Sequence, residues 1–224
     1  VHFGNILPRQ KFAANPYNAW VRQRPLTPWL IRFGYEQGAF PMSDDDNVVE
    51  WYQSNPRCLF PIEGIHVSKS LAKVLKQDRF RVTFDTAFTE VMEHCLRPSG
   101  NWITPEFIQV YTEIHRQGWG HSCEVWSGER LVGGVYGIAL GGVFCAESMF
   151  HRETNASKVA LYHLVEKCRE LGFVLFDAQI MNDHLVSLGA FPVTNQRYLT
   201  LLQRALKVKT VWDQCPFVTT DPED

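Results

Sequence analysis

Asp177, Ala178 and Gln179 close a short apolar run, Phe173 to Ala178, that follows a helical pattern and reads as a buried strand. Residues i and i+2 of a strand point to the same face, so a carboxylate and an amide are expected side by side where the strand ends. Such a pair either orients a reacting polar group or caps the turn into Asn182-Asp183-His184. Glu147 is a second candidate, a charge among the apolar residues Val143 to Phe150. Strand alternation places Cys145, Glu147 and Met149 on one face and Phe144, Ala146 and Ser148 on the other. A lone buried carboxylate takes up a proton, so either this face is wet or Glu147 has a cationic partner. Trp102, Tyr111, Trp51 and Tyr52 are either core or stacking platforms for bases, worth about 1–3 kcal/mol each in the second role. His121 and Cys123 share a strand face and His184 follows the Asp177 strand, but no spacing singles out a Cys–His nucleophilic pair.

The elements that must position these groups become regular from residue 67. Ser68 reads as the N-cap of a helix carrying Lys69, Lys73 and Lys76 on one face and Leu71, Val74 and Leu75 on the other. That cationic stripe is either a solvated surface or a phosphate-backbone contact. A strand near 80–84 follows, then a helix over 86–97 with Phe88, Val91, Met92 and Cys95 as its apolar face. Thr104-Pro105-Glu106 starts another helix, which stops at Gly118. Strand-like runs 121–126, 130–140 and 143–149, separated by Ser127-Gly128 and Gly141-Gly142, predict an antiparallel meander. Asn155 is the expected cap of a helix ending at Gly172; a short helix over 182–188 and a strand over 197–202 complete the set. The fold class is α+β, a sheet with helices on both sides. Residues 1–66, with an irregular, proline-punctuated arm over the first 28, are expected to form a small N-terminal domain, and residues 67–224 the main one.

Composition bounds the function. With 224 residues, 45% hydrophobic and 21% charged, the chain is globular and too short for two large domains. A net charge of −2 argues against indiscriminate nucleic-acid binding. Basic residues are nevertheless in excess over residues 1–81 and acidic ones over 82–224. The longest uncharged stretch, Leu131 to Ala146, is glycine-rich and falls short of the ~20 residues that cross a bilayer. No membrane partner is expected, and without a signal-like N-terminus a cytoplasmic address is. Six dispersed cysteines without a CxxC pair argue against a zinc site and a disulfide framework, so buried thiols and no metal are expected.

Taken in order, several segments closely resemble the leucyl/phenylalanyl-tRNA–protein transferase family. They are Gly38-Ala-Phe-Pro41, Pro56-Arg57, Trp102-Ile-Thr104, Gly120 to Trp126, Leu131 to Gly137, Glu147-Ser-Met-Phe150, Asn155 to Lys158, Phe176 to His184 and Ser187 to Ala190. The resemblance implies an enzyme that moves Leu, Phe or Met from aminoacyl-tRNA to the N-terminal Arg or Lys of a protein, marking it for degradation. It also implies a small N-terminal domain joined to a GNAT-like domain, the acetyltransferase fold, with a mixed, largely antiparallel sheet. No cofactor is expected, and a monomer is. Acetyl-CoA enzymes of that fold cradle pyrophosphate in a glycine-rich loop, whereas His151-Arg-Glu-Thr-Asn155 has no glycine, which disfavours coenzyme A.

By the same resemblance Asp177 and Gln179 are the catalytic pair: Gln179 accepts a hydrogen bond from the attacking amine, and Asp177 polarises or orients its amide. Val135, Met149, Leu161, Leu164, Cys168 and Phe176 match the pocket for the donor's side chain. Trp102 and Tyr111 match positions near the terminal adenosine, with Phe144 and Asn182 in the same cleft. Glu147 is the candidate holder of the positive acceptor end, and Lys69, Lys73 and Lys76 match a cluster for the tRNA acceptor stem. The chain departs from the family pattern at Ala146, His151 and Met42, which bears on acceptor choice and adenine docking. Two other readings are a GNAT-fold acyltransferase with a different donor and a non-catalytic tRNA-binding module.

Overall fold

The computed structural model describes residues 10–11, by backbone alone, and 25–43, 48–77, 79–97 and 102–212. In chain order the elements are β1 (Gln10–Lys11), α1 (Pro28–Glu36), β2 (Phe40–Ser43), β3 (Val49–Gln53), β4 (Arg57–Phe60), α2 (Lys69–Lys76), β5 (Arg81–Phe84), α3 (Phe88–His94) and α4 (Pro105–Arg116). They continue with β6 (Gly120–Ser127), β7 (Arg130–Leu140), β8 (Val143–His151), α5 (Ala156–Glu170), β9 (Leu175–Gln179), α6 (Asp183–Ser187), β10 (Phe191–Val193) and α7 (Asn195–Ala205). The expected N-terminal arm lies largely outside the described residues, as does Cys215.

Local chemistry sets the helix starts. Thr27, Ser68, Thr104, Asn182 and Thr194 each accept a hydrogen bond from the backbone N–H three residues on, which satisfies a donor the helix leaves orphaned. Asn155 occupies the N-cap position of α5 but makes no such bond. It lies in the left-handed region at φ 69 and gives its amide to Ser70 Oγ instead.

A small sheet has the order β1-β3-β2, and a seven-stranded sheet the order β10-β4-β9-β8-β7-β6-β5. Pairing in the large sheet is antiparallel except between β8 and β9, which α5 connects. The fold is therefore α+β with a mixed sheet. One face packs on α1, α3, α4 and α7 through Leu30, Val91, Met92, Phe107, Tyr111 and Tyr198. The other packs on α2, α5 and α6 through Leu71, Val159, Leu161, Leu164 and Leu185.

Two expectations change. The strand expected over 197–202 is part of α7, because Tyr198, Leu202 and Ala205 recur at i, i+4 and i+7 and are buried together. Residues 57–60, counted with the small N-terminal domain in the sequence, form β4 between β9 and β10 of the large sheet. The limit expected at residue 66 thus falls beyond the point where the chain enters that sheet.

Candidate active site

β8 and β9 run side by side only at Val143↔Leu175, Phe144↔Phe176 and Cys145↔Asp177. Beyond that pair each strand carries an extra residue. Against β7, Tyr136 pairs Ser148 and Gly137 pairs Ala146, leaving Glu147 unpaired. Against β4, Leu59 pairs Asp177 and Cys58 pairs Gln179, leaving Ala178 unpaired. A bulge bends its strand and increases the local twist, so two bulges flanking one seam open it. Gly137 permits the first: a Cβ there would sit 2.3 Å from Cys145 O and 2.6 Å from the Phe144 ring.

The opening holds a cavity of about 120 Å³ lined by Phe60, Val135, Ala146, Met149, Leu161, Ala178 and Leu185 on the α5 side, with Arg97, Trp102, Glu147, Ser148 and Asn182 completing it. A dry apolar cavity of roughly 150 Å³ takes up benzene, so this volume suits a single leucine- or phenylalanine-sized side chain. The bulge also corrects the expected strand faces. Met149 packs with the α5-side core, while Glu147 reaches the tyrosines of the opposite side, so the two do not share a face. Of the other residues expected around a donor pocket, Leu164, Cys168 and Phe176 are fully buried in the core rather than on the cavity wall, as is Phe144, expected in the adenosine cleft.

Glu147 ends beneath the cleft among hydroxyls. Its Oε1 accepts from Tyr35 Oη at 2.6 Å and from Gln179 Nε2 at 3.2 Å, and Tyr111 Oη lies 3.5 Å from Oε2. Burial holds both phenols well above their usual range, so they donate. Burial also pushes the Glu147 carboxyl up to about 8, against the pull of the Tyr35 hydrogen bond. An incoming cation would draw its proton off. Tyr111, expected near an adenine, is completely buried and serves this network instead; Trp102 lines the cleft.

Asp177 does not emerge beside Gln179. Its carboxylate is fully buried and paired with the equally buried Arg57, Nε to Oδ1 at 2.8 Å and Nη2 to Oδ2 at 2.6 Å. Tyr198 Oη donates to Oδ2 at 2.8 Å, and the backbone N–H of Gln179 donates to Oδ1 at 3.0 Å. The guanidinium also donates to Gly38 O and lies between the rings of Phe40 and Tyr198. Gln179 itself is left-handed at φ 51, which costs a non-glycine residue about 1–2 kcal/mol. Its N–H is held by Asp177, its carbonyl by Ser54 Oγ and its side-chain nitrogen by Glu147. Gln179 is buried and does not itself line the cavity, and its Oε1 accepts no hydrogen bond among the described residues.

Sequence reasoning missed Arg57 and Tyr198 as partners of Asp177, and Tyr35 as a partner of Glu147; they lie 120, 21 and 112 residues away. The unexplained charge in an apolar strand was the one signal, since it demanded a partner. The Cys–His alternative gains nothing. Burial raises the Cys58 and Cys95 thiols to about 12 and holds Cys123, Cys145 and Cys168 well above their usual range, which suppresses the thiolate a nucleophile needs. Among the described residues no group of three or more His, Cys, Asp or Glu could hold a metal ion, and no helix is long and apolar enough to cross a membrane.

The family model described as leucyl/phenylalanyl-tRNA protein transferase matches residues 59–203, and that of the family's N-terminal domain matches residues 24–55. The chain belongs to the leucyl/phenylalanyl-tRNA–protein transferase family. A relative so named from Shewanella baltica is 48% identical over 181 residues, 79% of this chain and 76% of its own length. Another, from Herpetosiphon aurantiacus, is 43% identical over 183 residues, 81% of this chain and 95% of its own. Among solved structures, that of L-PGS from Bacillus licheniformis aligns at a TM-score of 0.38 and 10% identity, over 68% of this chain and 50% of that one. The transferase family match spans both bulged strands, β8 and β9, and with them Asp177; it begins at Leu59 within β4, so Arg57 falls between the two matched segments. Of the departures from the family pattern, Ala146 lines the cavity, Met42 is buried and His151 is exposed.

Proposed function

We propose that this protein transfers Leu, Phe or Met from aminoacyl-tRNA to the N-terminal Arg or Lys of acceptor proteins, forming a peptide bond and marking them for degradation. The observation that carries this is the cleft between β8 and β9, apolar and side-chain-sized at one end and bounded by Glu147 at the other. Family membership supplies the reaction. The parallel strands parting into a cleft support a GNAT-like fold for the main domain, and the pairing of β4 with β9 favours a domain limit before β4. The reaction works as a monomer in the cytoplasm, where its RNA donor is found.

The donor ester is already activated. The acceptor's α-amine has an ordinary pKa of about 7.7–8.0, so a useful fraction is neutral near pH 7. Its nitrogen attacks the ester carbonyl, the bond to the ribose oxygen breaks, and one proton passes from nitrogen to that oxygen. Gln179 Oε1 accepts a hydrogen bond from the amine and aims its lone pair; an amide is no base. Much of the rate comes from holding the partners together, since well-oriented groups reach effective molarities of about 10⁵ M or more. Met149, Val135 and Leu161 take the donor side chain, with Leu164, Cys168 and Phe176 packing behind them. Trp102 stacks on the terminal adenine, Asn182 borders it, and Glu147 faces the acceptor's positive side chain.

Labelled Leu-, Phe- and Ile-tRNA mixed with peptides beginning in Arg or Ser test the reading. Transfer of Leu and Phe to the Arg peptide alone is expected. Transfer of an acetyl group from acetyl-CoA would favour another acyltransferase, and tRNA binding without transfer a binding module.

Glu147 gives a pH signature. Its carboxyl is neutral below about 8 and charged above it, and only the charged form attracts a guanidinium. Affinity for the Arg peptide should therefore rise with pH up to about 8 and level off beyond. In Glu147→Gln that rise should disappear; an unchanged profile measured by calorimetry would remove Glu147 from the acceptor site.

Lys69, Lys73 and Lys76 are exposed on α2, opposite the buried Leu71. As tRNA backbone contacts, each should add one released counterion. Lys73→Ala should lower the slope of log affinity against log salt by about 1, while transfer from a short aminoacyl-adenosine stays at the wild-type rate. Equal loss with both donors would contradict a backbone role.

A further inference from the structure

The geometry points to Tyr198, on α7, as a positioning residue for the Gln179 amide, acting through Asp177 without touching substrate. The inference rests on the transferase reading and concerns how its site is held. An ionised carboxylate offers about four lone-pair sites. At Asp177 two are taken by Arg57, one by the Gln179 N–H and one by the Tyr198 hydroxyl. None remains for an amine or a proton, so Asp177 contributes to the reaction only through what it holds.

What it holds is the backbone of Gln179, in a left-handed conformation that a glutamine does not adopt unaided. The Oδ1 bond to the Gln179 N–H, with Ser54 on the carbonyl, keeps the peptide turned so that the side chain crosses the gap to Glu147. Arg57 alone fixes the carboxylate's plane. Tyr198 fills the remaining direction on Oδ2, and its ring also stacks on the guanidinium 4.2 Å away. Burial holds the phenol well above its usual range, so the hydroxyl stays a donor. The family's catalytic glutamine position is thus set by a helix that lies outside the cleft.

Tyr198→Phe removes the hydroxyl and keeps the ring. Steady-state transfer should show kcat lowered about tenfold, with KM for donor tRNA and for the Arg peptide within about twofold of wild type. The deciding measurement repeats the change in a Gln179→Ala background. If Tyr198 acts through Gln179, no further loss of kcat follows there, whereas a structural role gives the same loss in both backgrounds and overturns the proposal. Unchanged kcat in the single variant, or a loss carried by KM, overturns it too. Arg57→Lys, which keeps the charge but not the paired parallel bonds, is read the same way should Tyr198→Phe fail to fold. A wild-type protein that transfers nothing would instead refute the proposed function, a result distinguishable from any of these.

Discussion

Asp177→Ala is expected to destabilise the fold by about 3–5 kcal/mol, the usual consequence of leaving one partner of a buried ion pair uncompensated. Arg57 has no exposed surface, and its other contacts, Gly38 O, the Tyr198 hydroxyl and two aromatic rings, carry no negative charge. Urea unfolding followed by tryptophan fluorescence reads the loss as a lower midpoint at constant slope. Adding Arg57→Met to Asp177→Ala should recover part of it, because the stranded guanidinium is then gone. A double variant less stable than Asp177→Ala would show that Arg57 is held by something other than its charge partner. Loss of transfer in Asp177→Ala therefore says little by itself about a role in the chemistry.

Gln179→Ala is expected to lower kcat by about 100-fold, the size of loss that mispositioning a reacting group brings, with tRNA affinity within twofold of wild type. Gln179→Gly sharpens the test. Glycine adopts φ 51 freely, so this variant should be at least as stable as wild type while losing the same activity. Melting temperature and single-turnover transfer, measured on both variants, separate the two effects. A Gly variant with near-normal turnover would mean that the backbone turn and not the amide is what the reaction uses.

Much of the scaffold was legible because it is local. The meander β6-β7-β8 follows from glycine turns, and α2, α4 and α5 follow from apolar stripes with caps or stops at their ends. The site was legible only in part. Period-two alternation cannot register an inserted residue, so it put Met149 beside Glu147 and set Asp177 and Gln179 side by side. Residues 197–202 mix Tyr, Thr and Leu over a span too short for a helical period to show, and the Thr194 cap that starts α7 lies outside it. Arg57 was counted with the small N-terminal domain because β4 is four residues long and takes both its neighbours from later in the chain. Residue type leaves Tyr111 as either core or a stacking platform, and only tertiary packing sends its hydroxyl inward to Glu147.

That placement of β4 governs how the molecule is made. Emerging from the ribosome, Arg57 must wait through 120 further residues for its counter-ion, and the strand it belongs to has no hydrogen-bonding neighbour until β9 and β10 are synthesised. The transferase sheet is therefore knitted last at its oldest segment, a non-local closure that slows folding. Gln179 is set in the same late step, so nascent chains hold no finished cleft until β4 has met β9.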